Sequence, residues 1–76
     1  MEYDLLIINN NVIRVRKRIE HVFKDKGNIT EKIIYTVPLN LELYKQLPEV
    51  VQIKDKKFYK TDINEINQTH FKLIEI

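Results

Sequence analysis

Arg14, Arg16 and Arg18 are the only arginines of this 76-residue chain, and they alternate within one run, Val12-Ile13-Arg14-Val15-Arg16-Lys17-Arg18-Ile19. In a β-strand that spacing puts all three guanidinium groups on one face. Alternate residues of a strand lie roughly 6.6–6.8 Å apart. That step is comparable to the phosphate spacing along an extended single strand of nucleic acid. A guanidinium binds phosphate in bidentate fashion, where lysine offers a point charge. The same row suits carboxylates on an acidic protein, or on a protein that mimics DNA. The plainer reading is a solvated outer sheet face that resists aggregation. Local charge favours binding. Residues 14 to 26 carry six Lys/Arg against Glu20 and Asp25, a local +4 that exceeds the +2 of the whole chain.

Lys54, Lys56, Lys57 and Lys60 form a second basic cluster, interleaved with Phe58 and Tyr59. Aromatic rings among cations can stack on nucleobases. The structural alternative has Phe58 facing Ile53 in the core, Tyr59 half-exposed on a sheet, and the lysines at a hairpin tip. The candidate surface is therefore Arg14, Arg16 and Arg18, extended by Lys54, Lys56, Lys57, Tyr59 and Lys60.

Other chemistry finds little support. His21 and His70 are the two histidines; with no cysteine and no metal-binding spacing, neither a metal nor a cofactor is expected. No serine is available as a nucleophile. One glycine cannot build a glycine-rich phosphate loop. The acidic residues are scattered, and a core this small rarely leaves a deep substrate pocket. The expectation is a binding protein and not an enzyme.

Seventy-six residues make one small domain, 1–76, near the size where burial only just offsets chain entropy. Without cysteines no disulfide assists. Ile, Lys and Asn are abundant, while Ala, Ser, Cys and Trp are missing, a skew that reads as AT-rich coding. AT-rich bacteria, their phages and plasmids, and some archaeal viruses fit. The acidic start, Met1-Glu2-Tyr3-Asp4, precedes an apolar run too short for a signal peptide, and no run approaches membrane-spanning length. The expected location is the cytoplasm of a cell or host cell.

Turn residues punctuate short β-like runs. Leu5–Ile8 reads as a first strand, and Asn9-Asn10-Asn11 as a tight turn, since Asn tolerates left-handed conformations. Val12–Phe23 and Asn28–Val37 read as two longer strands around Asp25-Lys26-Gly27, with the glycine at a positive-φ position. A three-residue loop sets Phe23 against Ile29, Ile19 against Ile33 and Val15 against Val37 on a core face. The other face then pairs Glu20 with Lys32 and Arg16 with Thr36. A four-residue loop would instead oppose apolar and charged residues. Lys17 and His21 fall on the core face, Lys17 snorkelling past Tyr35 and His21 pairing with Glu31.

Leu39–Leu47 fits both a strand alternation and a helix stripe. A short helix is favoured, with Asn40 as its cap, a Leu39–Tyr44 staple and Pro48 as its stop. Val50–Ile53 and Phe58–Lys60 read as a hairpin around Lys54-Asp55-Lys56-Lys57. Asp62–Glu65 resembles a capping box opening one helical turn through Gln68. Phe71–Ile76 reads as a final strand with apolar residues on both faces. The predicted fold is mainly β or α+β, a small antiparallel sheet or open barrel in the order βββ-α-ββ-(short α)-β.

Two functions follow as expectations. The first is a non-catalytic protein presenting an arginine-lined sheet face to a polyanion, most simply nucleic acid. The second is a small phage or mobile-element regulator or inhibitor that docks on an acidic host protein surface, covering its nucleic-acid-binding groove. A structural subunit assembling through edge strands is a weaker third. A homodimer that buries Phe71–Ile76 or its outer face is also expected, because a terminal apolar strand must either pair inside the sheet or offer an open edge, and both of its faces carry more apolar residues than one small core readily covers.

Overall fold

The computed structural model describes residues 2–23, 27–63 and 68–76. Six strands form one antiparallel sheet: β1 (Glu2–Ile8), β2 (Asn11–Phe23), β3 (Ile29–Pro38), β4 (Val50–Ile53), β5 (Lys56–Lys60) and β6 (His70–Glu75). The spatial order is β1-β2-β3-β6-β5-β4, and a short helix, α1 (Leu41–Gln46), joins β3 to β4. The sheet curls into a half-barrel.

Local chemistry explains the connections. Asn9 and Asn10 take φ of 47° and 67° and link β1 to β2 in a two-residue turn closed by Ile8 opposite Asn11. The β2–β3 register is the three-residue-loop one, with Phe23 opposite Ile29, Ile19 opposite Ile33 and Glu20 opposite Lys32. Lys17 lies across from Tyr35, and His21 Nε2 sits 3.3 Å from Glu31 Oε1. Gly27 has φ of 76°. Asn40 caps α1, its Oδ1 accepting from the Glu42 N–H at 3.1 Å and the Leu43 N–H at 3.4 Å. Helix therefore wins over strand in this segment, and Pro48 follows its end.

Several expectations change. The β4–β5 turn holds two residues, not four, so Phe58 faces Val51 and Ile53 faces Lys56. Lys54 takes φ of 56°, unusual for a residue with a side chain. Strand β6 pairs on both sides, with β3 and with β5, so it is internal and has no open edge. A homodimer through an open edge of Phe71–Ile76 is therefore ruled out; the sheet edges are β1 and β4. The capping box at Asp62–Glu65 lies partly outside the described residues.

The core lines the inner face. Leu6, Val15, Tyr35, Val37, Val51, Ile53, Phe58, Phe71 and Leu73 bury there, and Leu47, just past α1, joins them. Tyr35 meets Phe58 edge-on, and Tyr44 of α1 meets Phe71 in the same way, each with ring centroids 5.0 Å apart. The far end of the β2–β3 hairpin escapes this core. The β1 ladder stops at Glu2–Lys17 and the β6 ladder at Ile34–Ile74. Beyond those points the backbones of β2 and β3 pair only with each other among the described residues, although the Ile33 N–H still reaches the Glu75 side chain. Ile19, Ile29 and Phe23 point to the core side but stay exposed, Phe23 at 77%. Ile34 is buried on the opposite face, in one row with Ile74 and Tyr59. That row explains why the last strand is apolar on both sides.

A Cβ added at Gly27 would meet nothing within 4 Å, so any cost of substitution lies in the backbone. Gly27→Val should destabilise the fold by about 1 kcal/mol or more, and Gly27→Asn by less, since Asn tolerates φ > 0. Thermal melts followed by circular dichroism check this; equal losses would remove the glycine's conformational role.

Candidate nucleic-acid interface

The register sorts the strand charges by face. Arg14, Arg16 and Arg18 point outward on β2, and Lys32 of β3, Lys72 of β6 and Lys57 of β5 share that face. Glu20 is the one strand carboxylate among the described residues that faces outward with them. Glu2, Asp4, Glu31 and Glu75 face inward or along the inner rim. Among the described strand residues, a chain of net +2 thus gathers six cations against one acid on a single face.

Inner-side cations are committed to structure. Lys17 Nζ lies 3.6 Å from Glu2 Oε2. Lys54 Nζ reaches Asp4 Oδ1 at 3.0 Å, spanning from the β4–β5 turn to β1, the two ends of the strand order. Lys56 Nζ lies 3.3 Å from Glu75 Oε2. Lys60 Nζ donates to the carbonyls of Tyr44 and Leu47 at 3.0 Å each and sits over the Tyr44 ring, 4.1 Å from its centroid. The predicted second cluster therefore divides. Lys57 and Tyr59 share the arginine face, while Lys54, Lys56 and Lys60 turn away to close the curl and finish the helix. Tyr59 and Lys57 stand three strands from β2, roughly 14 Å at about 4.8 Å per strand.

The carboxylates on the inner side are tuned by these contacts. The Tyr35 hydroxyl donates to Asp4, and with the Lys54 ammonium it holds the Asp4 carboxyl below its ordinary pKa. Burial, then the bond to Asp4, pushes the Tyr35 phenol well above its ordinary value. The Ile33 N–H donates to Glu75 Oε1 at 2.9 Å and, assisted by Lys56, lowers the Glu75 pKa.

Outward cations are less engaged. Arg14 stacks over Tyr3, its Cζ 3.8 Å from the ring centroid. Arg18 makes a long ion pair with Glu20 at 3.9 Å, an exposed contact of little energetic weight. Arg16, Lys32, Lys57 and Lys72 make no ion pair among the described residues. Tyr3, Arg14, Arg16, Thr36, Pro38 and His70 line a depression of about 380 Å³ beside the ridge. Tyr3, Thr36, His70, Lys32 and Lys72 lie outside the candidate surface expected from the sequence. The β2–β3 register could have supplied Lys32 and Thr36. Lys72 and His70 required the β3–β6 pairing, which leaves no local signal.

Among the described residues no group of three or more His, Cys, Asp or Glu could hold a metal ion. No described helix is long and apolar enough to cross a membrane. No family model matches the chain, and comparison with curated proteins and with solved structures returns no match.

Two measurements separate the structural lysines and carboxylates from the outward cations. Lys60→Gln should lower stability by about 1–2 kcal/mol, because it strips charged donors from two helix-end carbonyls; Lys57→Gln should change the melting temperature little. Asp4 and Glu75 have lowered native pKa values, so their contribution is present above the ordinary carboxylate pKa of about 4. It is lost as pH falls through the lowered native values. The melting temperature should therefore stay level from about pH 8 to 5 and drop below about pH 4. Asp4→Asn should start lower at neutral pH and show a shallower acid slope.

Proposed function

We propose that this chain is a non-catalytic binding protein that holds a polyanion, most simply nucleic acid, against the outer face of its sheet. The observation that carries this reading is the sorting of charge: six outward cations against Glu20, while the described inner-side lysines all have partners. Arginines at regular strand spacing, joined on the same face by lysines without ion pairs among the described residues, suit a row of phosphates. Arg14, Arg16 and Arg18 form the main grip, with Lys72 two strands away in the Arg16–Thr36 row. Lys57 and Tyr59 lie at the far side of the same face. The cytoplasm of a cell or host cell is where such a partner is met.

One observation favours a second reading, a small regulator or inhibitor docking on an acidic host protein surface. Leu5, Ile7 and Val12 are exposed on the outer face next to the ridge. An apolar patch bordered by arginines also resembles the make-up of protein interfaces.

Recovery of bound material from host lysate, with and without nuclease, separates the two. Nuclease-sensitive nucleic acid supports the first reading, and one stoichiometric protein that survives nuclease supports the second. Replacing Arg14, Arg16 and Arg18 together by Gln should leave the melting temperature nearly unchanged and weaken binding. On nucleic acid the slope of log affinity against log salt should flatten by up to about two to three units. Unchanged binding with a lost fold would make the three arginines structural.

A further inference from the structure

Resting on that polyanion reading, we infer that the depression beside the ridge receives an unpaired nucleobase, so that the ligand is a single-stranded nucleic acid. The ridge alone would accept any row of phosphates. The depression is what discriminates. Its volume of about 380 Å³ falls at the low end of the roughly 300–1,000 Å³ typical of ligand sites. Its lining is mixed, as a base requires: Pro38 and the Tyr3 ring are apolar, while Thr36 and His70 carry hydrogen-bonding groups.

Planar groups border it. The Arg14 guanidinium already lies on one ring, that of Tyr3, and its plane offers a stacking surface. The exposed His70 imidazole stands at the β6 side, opposite Pro38 in the ladder, with Nδ1 2.9 Å from Thr69 Oγ1. Histidine and arginine planes are both recognised stacking partners of unpaired bases. Arg16 lines the depression as well, and Arg18 lies one alternate residue along. A base in the depression would thus place its flanking phosphates along the ridge. A duplex keeps its bases stacked inside and would present only phosphates here, leaving the depression unused.

Fluorescence anisotropy at pH 8 tests this with three probes. They are a labelled single-stranded oligonucleotide of mixed sequence in DNA and RNA form, the same sequence as duplex, and long-chain inorganic polyphosphate as competitor. The single strand should bind at least about tenfold tighter than the duplex. His70→Thr, which keeps strand propensity but removes the ring, should weaken single-strand binding about fivefold or more. Its competition by polyphosphate should stay within about twofold, and its melting curve should match the parent. Equal binding of single strand and duplex, or equal loss toward oligonucleotide and polyphosphate, would overturn the base site while leaving a general polyanion face. Failure to bind any of the three probes would remove both readings.

Discussion

The ladder between β3 and β6 is the constraint on which the molecule depends. It runs from Ile34–Ile74 to Pro38–His70 and, among the described residues, is the one ladder joining the β1-β2-β3 meander to the β6-β5-β4 half. It brings Phe71 and Leu73 beside Tyr35 and Val37, so the core contains residues from both halves of the chain. It also brings Lys72 and His70 onto the face that carries the arginines. Without this pairing there would be a hairpin arm with charged residues, but neither the core nor the outer-face depression.

Curling follows from what spans the inner side. Asp4 on β1 accepts from Tyr35 on β3 and pairs with Lys54 at the β4–β5 turn. One carboxylate thus links the two outermost parts of the sheet to its middle. Glu75 does a related job at the other rim, tying the Ile33 amide of β3 and Lys56 of β5 to β6. Lys60 reaches across to the end of α1. These contacts consume the cations and carboxylates of one side. The outer face is left with charge that the fold does not neutralise, and unneutralised, closely spaced cations repel one another. A polyanion relieves that repulsion. Fold closure and the proposed binding therefore draw on the same division of charge.

Tyr3 and Arg14 show how little is needed to shape such a surface. They sit diagonally across the β1–β2 ladder, where long side chains on one face meet. The aromatic ring supports the guanidinium and limits its rotamers. Pro38 and His70 then form the opposite bank, on strands contributed by distant parts of the chain. Rigid strands hold all of these groups, which favours geometric precision over the adaptability of loops.

Local pattern in the amino-acid sequence was enough to determine the hairpins and their faces. Alternation put Arg14, Arg16 and Arg18 together, Gly27 marked the β2–β3 loop, and avoidance of apolar–charged pairs selected the β2–β3 register that is observed. Asn40 and Pro48 bounded the helix in the same way. These are short-range effects, set by residues within one turn or one hairpin. What only the tertiary structure decided is which hairpin lies beside which. That choice put β6 inside the sheet, left Ile19, Phe23 and Ile29 beyond the core, and sent Lys54, Lys56 and Lys60 to structural partners. Charge and alternation look the same in a lysine that grips a ligand and one that caps a helix. The difference lies in contacts between residues far apart in the chain, and those contacts are selected by burial of the whole core.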